Sequence, residues 1–399
     1  MKRLNLGRAK QSRPGRIAAF DILRGLFLVV ILIDHIELYP SGYDLLTGRG
    51  RLMVSAAEGF FFMSGLLLGI VYRRRIAAGM RYIFKRMWLR GLELYVISVL
   101  LTLLFTAAAF YLTDHLIKDG LYPNHNWREI ITQTLQTRYS FGWADFLTRF
   151  AKLMIFAPIV FYLLVKRKWW LVVAASALVW GFRGESFTAA WQAVFFGGMI
   201  LGFYWQQLVA WWRGLTYKAR YTTKRTLLWV ASITFVFSWA GVFILSLLNQ
   251  NLTNLPQWAQ TFTWKWNSLH NYVWVYTQKW TLGPLRIALF LTWFALLFML
   301  ANRYHRQISR YTRGYIELLG QNSLFVYIAH AVIVFGFRLF IVPGSPNLVR
   351  NFVVTSASLA LLIMATMLYR RLMDRRKLSR STEKDKQAKW YLRPEVVES

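Results

Sequence analysis

The chain has no cysteine, which excludes a disulfide framework and any thiol chemistry. Acidic side chains are scarce, with 17 Asp and Glu against 49 Lys and Arg, for a formal charge of +32. Histidine is sparse too, and its positions (35, 115, 125, 270, 305 and 330) include no i, i+4 pair, so no metal site is expected. There is no phosphate-cradling Gly loop and no nucleophile elbow, so the familiar signatures of soluble enzymes are missing. An excess of Lys and Arg can neutralise nucleic-acid phosphates. Here the charge sits in short clusters between apolar segments, the pattern of membrane topology, and no nucleic-acid partner is expected.

Apolar surface is what the chain has in plenty: 56% hydrophobic residues and 17% aromatic ones describe a polytopic, all-α membrane protein. Apolar segments fall near 17–38, 53–72, 88–112, 150–165, 169–181, 188–210, 226–248, 285–301, 318–341 and 351–369, which predicts about ten transmembrane helices. Two of them, 150–165 and 169–181, are short against the ~20 residues of a spanning helix. Placing the amino terminus in the cytoplasm puts 35 Lys and Arg on that side and ten on the other, so both termini are expected inside. The expected organisation is a basic cytoplasmic N-terminus (1–16), a membrane domain (17–370) with outer loops 113–149 and 249–283, and a basic cytoplasmic tail (371–399) lying against anionic lipid. The first apolar run is too long and too charged for a cleaved signal peptide.

That run carries Arg24 and His35. Ionisable groups at membrane depth cost several kcal/mol by insertion scales, so an Arg and a His on one helix call for a function. Eleven residues at 100° each place them on one face, roughly 16 Å apart along the axis. Asp21 lies about 40° from His35 on the same stripe. In the second apolar run Glu58 shares a face with Gly65 and Gly69. The glycines have a structural reading, close approach of another helix backbone. Arg81, Lys85, Arg86 and Arg90 precede the third run, with Glu93 just inside it. They read either as plain positive-inside charge or as a clamp for the phosphates of a nucleotide-containing donor. Arg90 and Glu93 are the pair expected to be buried together. Ser323, Tyr327 and His330 share one face of the ninth run, and Ser64 and Gln192 add further polar groups at membrane depth. In 249–283, Trp264 and Trp266 stand near His270 and Asn271. Aromatic faces beside amides suit a sugar ring, although an interfacial aromatic belt has the same composition.

The stretch from Arg16 through Asp21 and Arg24 to Asp34-His35, the block from Ala57-Glu58 to Ser64-Gly65, and the block from Ala190 through Trp191-Gln192 to Gly198 resemble the OpgC family. More broadly, the Arg-x10-His spacing of Arg24 and His35, Phe61-Phe62-x-Ser64-Gly65 and the Ser323-to-His330 block are similar to the acyltransferase-3 superfamily. The resemblance implies transfer of an acyl group, succinyl or acetyl, from a cytoplasmic acyl-CoA-type co-substrate to a hydroxyl of an extracytoplasmic glycan such as a periplasmic glucan. It also implies a bacterial inner-membrane protein with no bound cofactor, whose partners are the membrane lipids and the glycan acceptor. On that basis His35 is the expected general base. Asp34, 100° round the helix from it, and Glu58 on the next helix are the candidate catalytic carboxylates, with Glu58 the better placed to orient the imidazole. Arg24, with Asp21 on its stripe, is expected to face the donor, Arg86 and Arg90 to collect phosphates, and Trp264, Trp266, His270 and Asn271 to meet the acceptor. A transporter or flippase for a lipid-linked sugar or an anion is the competing reading, since intramembrane Arg, His and Glu also suit a translocation path.

Overall fold

The structure, a computed structural model, describes residues 17–112, 121–341, 344 and 346–391, with side chains of the last helix described to Arg376. The expected basic N-terminus (1–16) and the end of the tail (392–399) lie outside the described residues.

The described residues are helical, with no strand. In chain order the helices are α1 (Ala18–Ile36), α2 (Asp44–Thr47), α3 (Ala56–Arg73), α4 (Met80–Leu112), α5 (Trp127–Leu135), α6 (Asp145–Val165), α7 (Trp169–Gly181) and α8 (Phe187–Phe203). They continue with α9 (Trp205–Gly214), α10 (Tyr217–Gln250), α11 (Gln257–Thr277), α12 (Pro284–Tyr311), α13 (Tyr315–Gln321), α14 (Ser323–Arg338) and α15 (Leu348–Tyr391).

Each of the ten apolar segments is thus helical. By length and composition, six helices among the described residues can cross a membrane, or eight if the bent pairs α8–α9 (67°) and α13–α14 (100°) each count as one span. The segment 150–165 proves to be the end of a longer helix that runs through Pro158 and reaches spanning length with the turn before it. The segment 169–181 remains 13 residues long. α1 has 19 residues but carries Asp21, Arg24 and Asp34, and α3, α12, α13 and α14 pack around it. It is the inner helix of the bundle, which is how a helix with three charges is kept from lipid.

The α3–α8 contact is the tightest in the fold, and glycine makes it possible. A Cβ at Gly65 would lie 1.9 Å from the Phe195 carbonyl oxygen, and one at Gly202 would lie 1.9 Å from that of Leu66. The two backbones therefore touch, the small-residue packing that membrane helices use in place of hydrophobic exclusion. Phe61, fully buried, stacks on Phe150 at 4.3 Å between ring centroids and meets Trp191 edge-on, so α3, α6 and α8 share one aromatic core. Around it α10, α12 and α15 turn Leu, Ile, Val and Trp side chains outward, as lipid contact requires.

The expected outer loop 249–283 holds a 21-residue helix, α11, packed beside α10 and α12. Its aromatic and polar side chains are mixed without an apolar run, so hydropathy alone reads it as loop. In the other loop, α5 is held by local hydrogen bonds: Asn126 caps it through the Glu129 amide, and the Tyr122 hydroxyl donates to the Glu129 carboxylate at 2.6 Å.

Candidate functional site

A cavity of about 630 Å³ opens between α1, α3, α4, α6 and α14. That volume is in the range of small-molecule sites. Three arginines line it toward one end of the bundle: Arg75 just beyond α3, and Arg86 and Arg90 in the first turns of α4. Arg24, Ser64, Ser323 and Tyr327 line its depth, among Phe60, Phe146 and Phe150. The Arg24 guanidinium carbon stands 6.0 Å from the Phe60 ring centroid. Five stretches distant in sequence therefore meet at one space, and α1 supplies its inner wall.

Local structure places each group. Gly25 lets α13 approach α1 so closely that a Cβ there would lie 1.9 Å from the Ile316 carbonyl oxygen. This contact fixes the height of Arg24 against the α13–α14 break, where Ser323 begins α14. Asp21 is buried one turn earlier on α1. Ser64 donates its hydroxyl to the Phe60 carbonyl one turn back at 2.8 Å and keeps a face on the cavity. Arg90 and Glu93 do pair, at 2.6 Å, but both are near half exposed rather than buried, because the first turns of α4 form the mouth.

Tyr327 closes the inner end. Its ring stacks near both Phe60 and Phe146 with centroids 6.0 Å apart, and its hydroxyl donates to the Trp143 carbonyl at 2.9 Å. One turn on, His330 is fully buried with its ring centroid 4.6 Å from that of Tyr327. His330 Nε2 then meets His35 Nδ1 at 3.0 Å. His35 does not line the cavity; it lies behind Tyr327 and His330 and is only partly covered. Arg24 and His35 thus occupy different compartments of one helix, with a tyrosine and a second histidine between them.

The expected pairing of Glu58 with His35 is replaced by two other interactions. Glu58 closes a capping box at the start of α3, accepting from the Ser55 amide at 3.0 Å and the Ser55 hydroxyl at 2.5 Å. Its other oxygen forms an ion pair with Arg286 of α12, and neither side chain is more than 1% exposed. Arg286 also donates to the Thr277 carbonyl at 3.0 Å, so the carboxylate is fully engaged away from the histidines. Asp34 turns toward Gly50 in the segment after α1, not toward the imidazole pair.

Gln192 accepts from the Ser176 hydroxyl at 2.6 Å and donates to the Ser176 carbonyl at 2.7 Å, which ties α8 to α7. It is therefore a helix tie, not a lining group of the cavity. The four acceptor candidates on α11 divide between two faces. Trp264 and Asn271 are exposed, whereas Trp266 and His270 turn toward the bundle, the imidazole lying against Gly241 of α10. Two residues along a helix is 200°, which separates the two tryptophans. Burial holds His270 below its ordinary pKa.

Two groups at this end have no place in the motif reading. Arg286 is the first charge of an apolar run on the side where basic residues are few, a signal the sequence does contain. Lys279, whose carbonyl accepts from the Trp191 indole at 3.1 Å, lies near enough to Asp34, His35 and Glu58 to act electrostatically on all three.

No curated protein and no solved structure matches the chain. Residues 16–374 match the family model described as OpgC protein, nearly the whole chain, so it belongs to the OpgC family, and that membership implies an acyltransferase-type, glucan-modifying enzyme in a multi-pass membrane setting.

Proposed function

We propose that the protein transfers a succinyl or acetyl group from a cytoplasmic acyl-CoA to a hydroxyl of an extracytoplasmic glycan such as a periplasmic glucan, within the bacterial inner membrane. Ten crossings, made by α1, α3, α4, α6, α7, the two bent pairs, α10, α12 and α15, would bring both termini to the cytoplasmic side, in keeping with the charge asymmetry.

One observation carries the proposal: a single cavity has arginines at its mouth, hydroxyls and Arg24 in its depth, and an imidazole pair behind its closed end. Arg75, Arg86 and Arg90 supply charge-assisted donors for the donor's phosphates. The apolar walls of Phe60, Phe146 and Phe150 take the pantetheine arm, Arg24 and Ser323 hold that arm in the depth of the cavity, and the thioester end reaches past Tyr327 toward the histidines. The glycan hydroxyl comes from the opposite side to His35, which removes its proton. The hydroxyl oxygen attacks the thioester carbonyl, the new C–O bond forms, the C–S bond breaks, and the proton leaves with the coenzyme A thiol.

The test is purified protein in lipid, given labelled acyl-CoA and a glucan. Acyl ester should appear on the glucan, and mass spectrometry of surface glycans from cells with and without the protein should show the same difference. Movement of the glycan across proteoliposomes without donor consumption would overturn the proposal in favour of transport.

A further inference from the structure

The hydrogen bonds that join Tyr327, His330 and His35 have a direction fixed at one end. His330 Nδ1 faces the backbone carbonyl oxygen of Tyr327, three residues back on α14. A carbonyl can only accept, so this Nδ1 carries a proton. A neutral His330 then has a bare Nε2, and that atom faces His35 Nδ1 at 3.0 Å. His35 must donate across this contact. Its own Nε2 is left without a proton and holds the free lone pair. The tautomer of His35 is therefore dictated by a backbone carbonyl, relayed through a second imidazole.

We propose that His330 is a positioning residue which fixes His35 as the Nδ1–H tautomer and so makes His35 Nε2 the base in acyl transfer. This rests on the acyltransferase reading, with His35 as base. In many sites a carboxylate holds the catalytic imidazole. Here the two nearby carboxylates are otherwise placed, Glu58 on Arg286 and Ser55, and Asp34 toward Gly50. The neutral partner has a consequence. When Nε2 takes the hydroxyl proton, the imidazolium keeps its Nδ1–H bond to His330 and gains no opposite charge. Lys279 and Arg338, the charges acting on His35 besides its partner, are both positive, and Arg338 is itself paired with Glu37.

The experiment compares His330→Leu with His330→Gln in the full-length protein, each checked by gel filtration and by acyl-CoA binding. Leucine cannot accept from His35 Nδ1; the glutamine carbonyl can. The leucine variant should lose about 100-fold or more in kcat with KM for the donor unchanged, as expected when an imidazole loses its partner and tautomer. Glutamine should restore at least tenfold of that loss. Nitrogen NMR of ¹⁵N-histidine protein, assigned with the His35→Ala variant, should show His35 protonated at Nδ1 in the wild type and a mixture in the leucine variant. Three results would overturn the proposal: a leucine variant within twofold of wild type, a folded glutamine variant no better than leucine, or a His35 protonated at Nε2. Full activity in His35→Ala would instead remove the base itself, a separate failure that the NMR tautomer does not depend on.

Discussion

Two buried polar pairs lie near the same end of this bundle, and they are built in opposite ways. Glu58 and Arg286 are at most 1% exposed, carry full opposite charges and have further partners in Ser55 and the Thr277 carbonyl. His35 and His330 carry no opposite charge between them, and one of the two is partly open. A carboxylate with both oxygens engaged cannot accept a proton from a substrate without breaking something else. The imidazole pair has one free nitrogen and a route to it. Burial and charge alone would rank the ion pair first as a functional site; the free acceptor nitrogen ranks the histidines first.

Breaking the filled pair should have the largest effect. Glu58→Gln or Arg286→Met leaves one buried charge without its partner, which costs about 3–5 kcal/mol and should appear as lost yield and a lower Tm in detergent. The double variant should recover a large part of that loss, because no lone charge is left. His35→Ala ought to do the reverse. The protein should keep its Tm and its acyl-CoA affinity and lose about 10²–10⁴-fold in transfer rate, measured with labelled donor. A destabilised His35→Ala with normal turnover in the surviving fraction would erase the distinction between the two pairs.

The mouth of the cavity gives a smaller effect that sharpens the contrast. Arg86→Ala and Arg90→Ala should each raise the donor KM by about tenfold, since a charge-assisted hydrogen bond at an open mouth contributes about 1.5 kcal/mol, the low end of its range, and leave kcat near wild type. The same variants should lose salt sensitivity of KM, because the missing interaction is a screened one. A fall in kcat with constant KM would move these arginines from donor capture to the chemistry.

Much of this was legible in sequence because it is local. Each of the ten apolar runs is helical, and Gly65 and Gly69 on one face announce a close helix approach, which α8 makes. Ser323, Tyr327 and His330 share a face by spacing alone. The capping-box pattern Ser55-x-x-Glu58 before an apolar run went unread beneath the expected pairing of Glu58 with His35, and it explains why that carboxylate points back along its own helix. The meeting of His35 with His330 was not legible, because the two lie 295 residues apart and only the α1–α14 packing joins them. Arg286 was obscured for a related reason: at the head of an apolar run its charge reads as a boundary, and its partner is 228 residues away. α11 was missed because helices with neither an apolar run nor a stripe leave no periodic trace.

α11 repeats the contrast between filled and open groups on a single helix, and it supplies the mildest test. His270 lies against Gly241 of α10 and Trp266 is half-buried, so their replacement should register in stability; Trp264 and Asn271 are exposed, so theirs should register only in acceptor kinetics. His270 makes the first half measurable by pH. Its folded pKa lies below the ordinary value of 6.5 because burial disfavours the imidazolium, while the unfolded chain titrates at the ordinary value. Below about pH 6.5 the unfolded state therefore binds a proton that the folded state resists, and the stability present above that pH declines as pH falls. Melting curves at pH 7.5 and 5.5 should show a smaller drop for His270→Gln than for the wild type. Trp264→Ala should leave both curves unchanged and, if the exposed face meets the glycan, raise the acceptor KM alone. Equal melting behaviour in His270→Gln and wild type would return this histidine to the open face, and α11 would then present one surface instead of two.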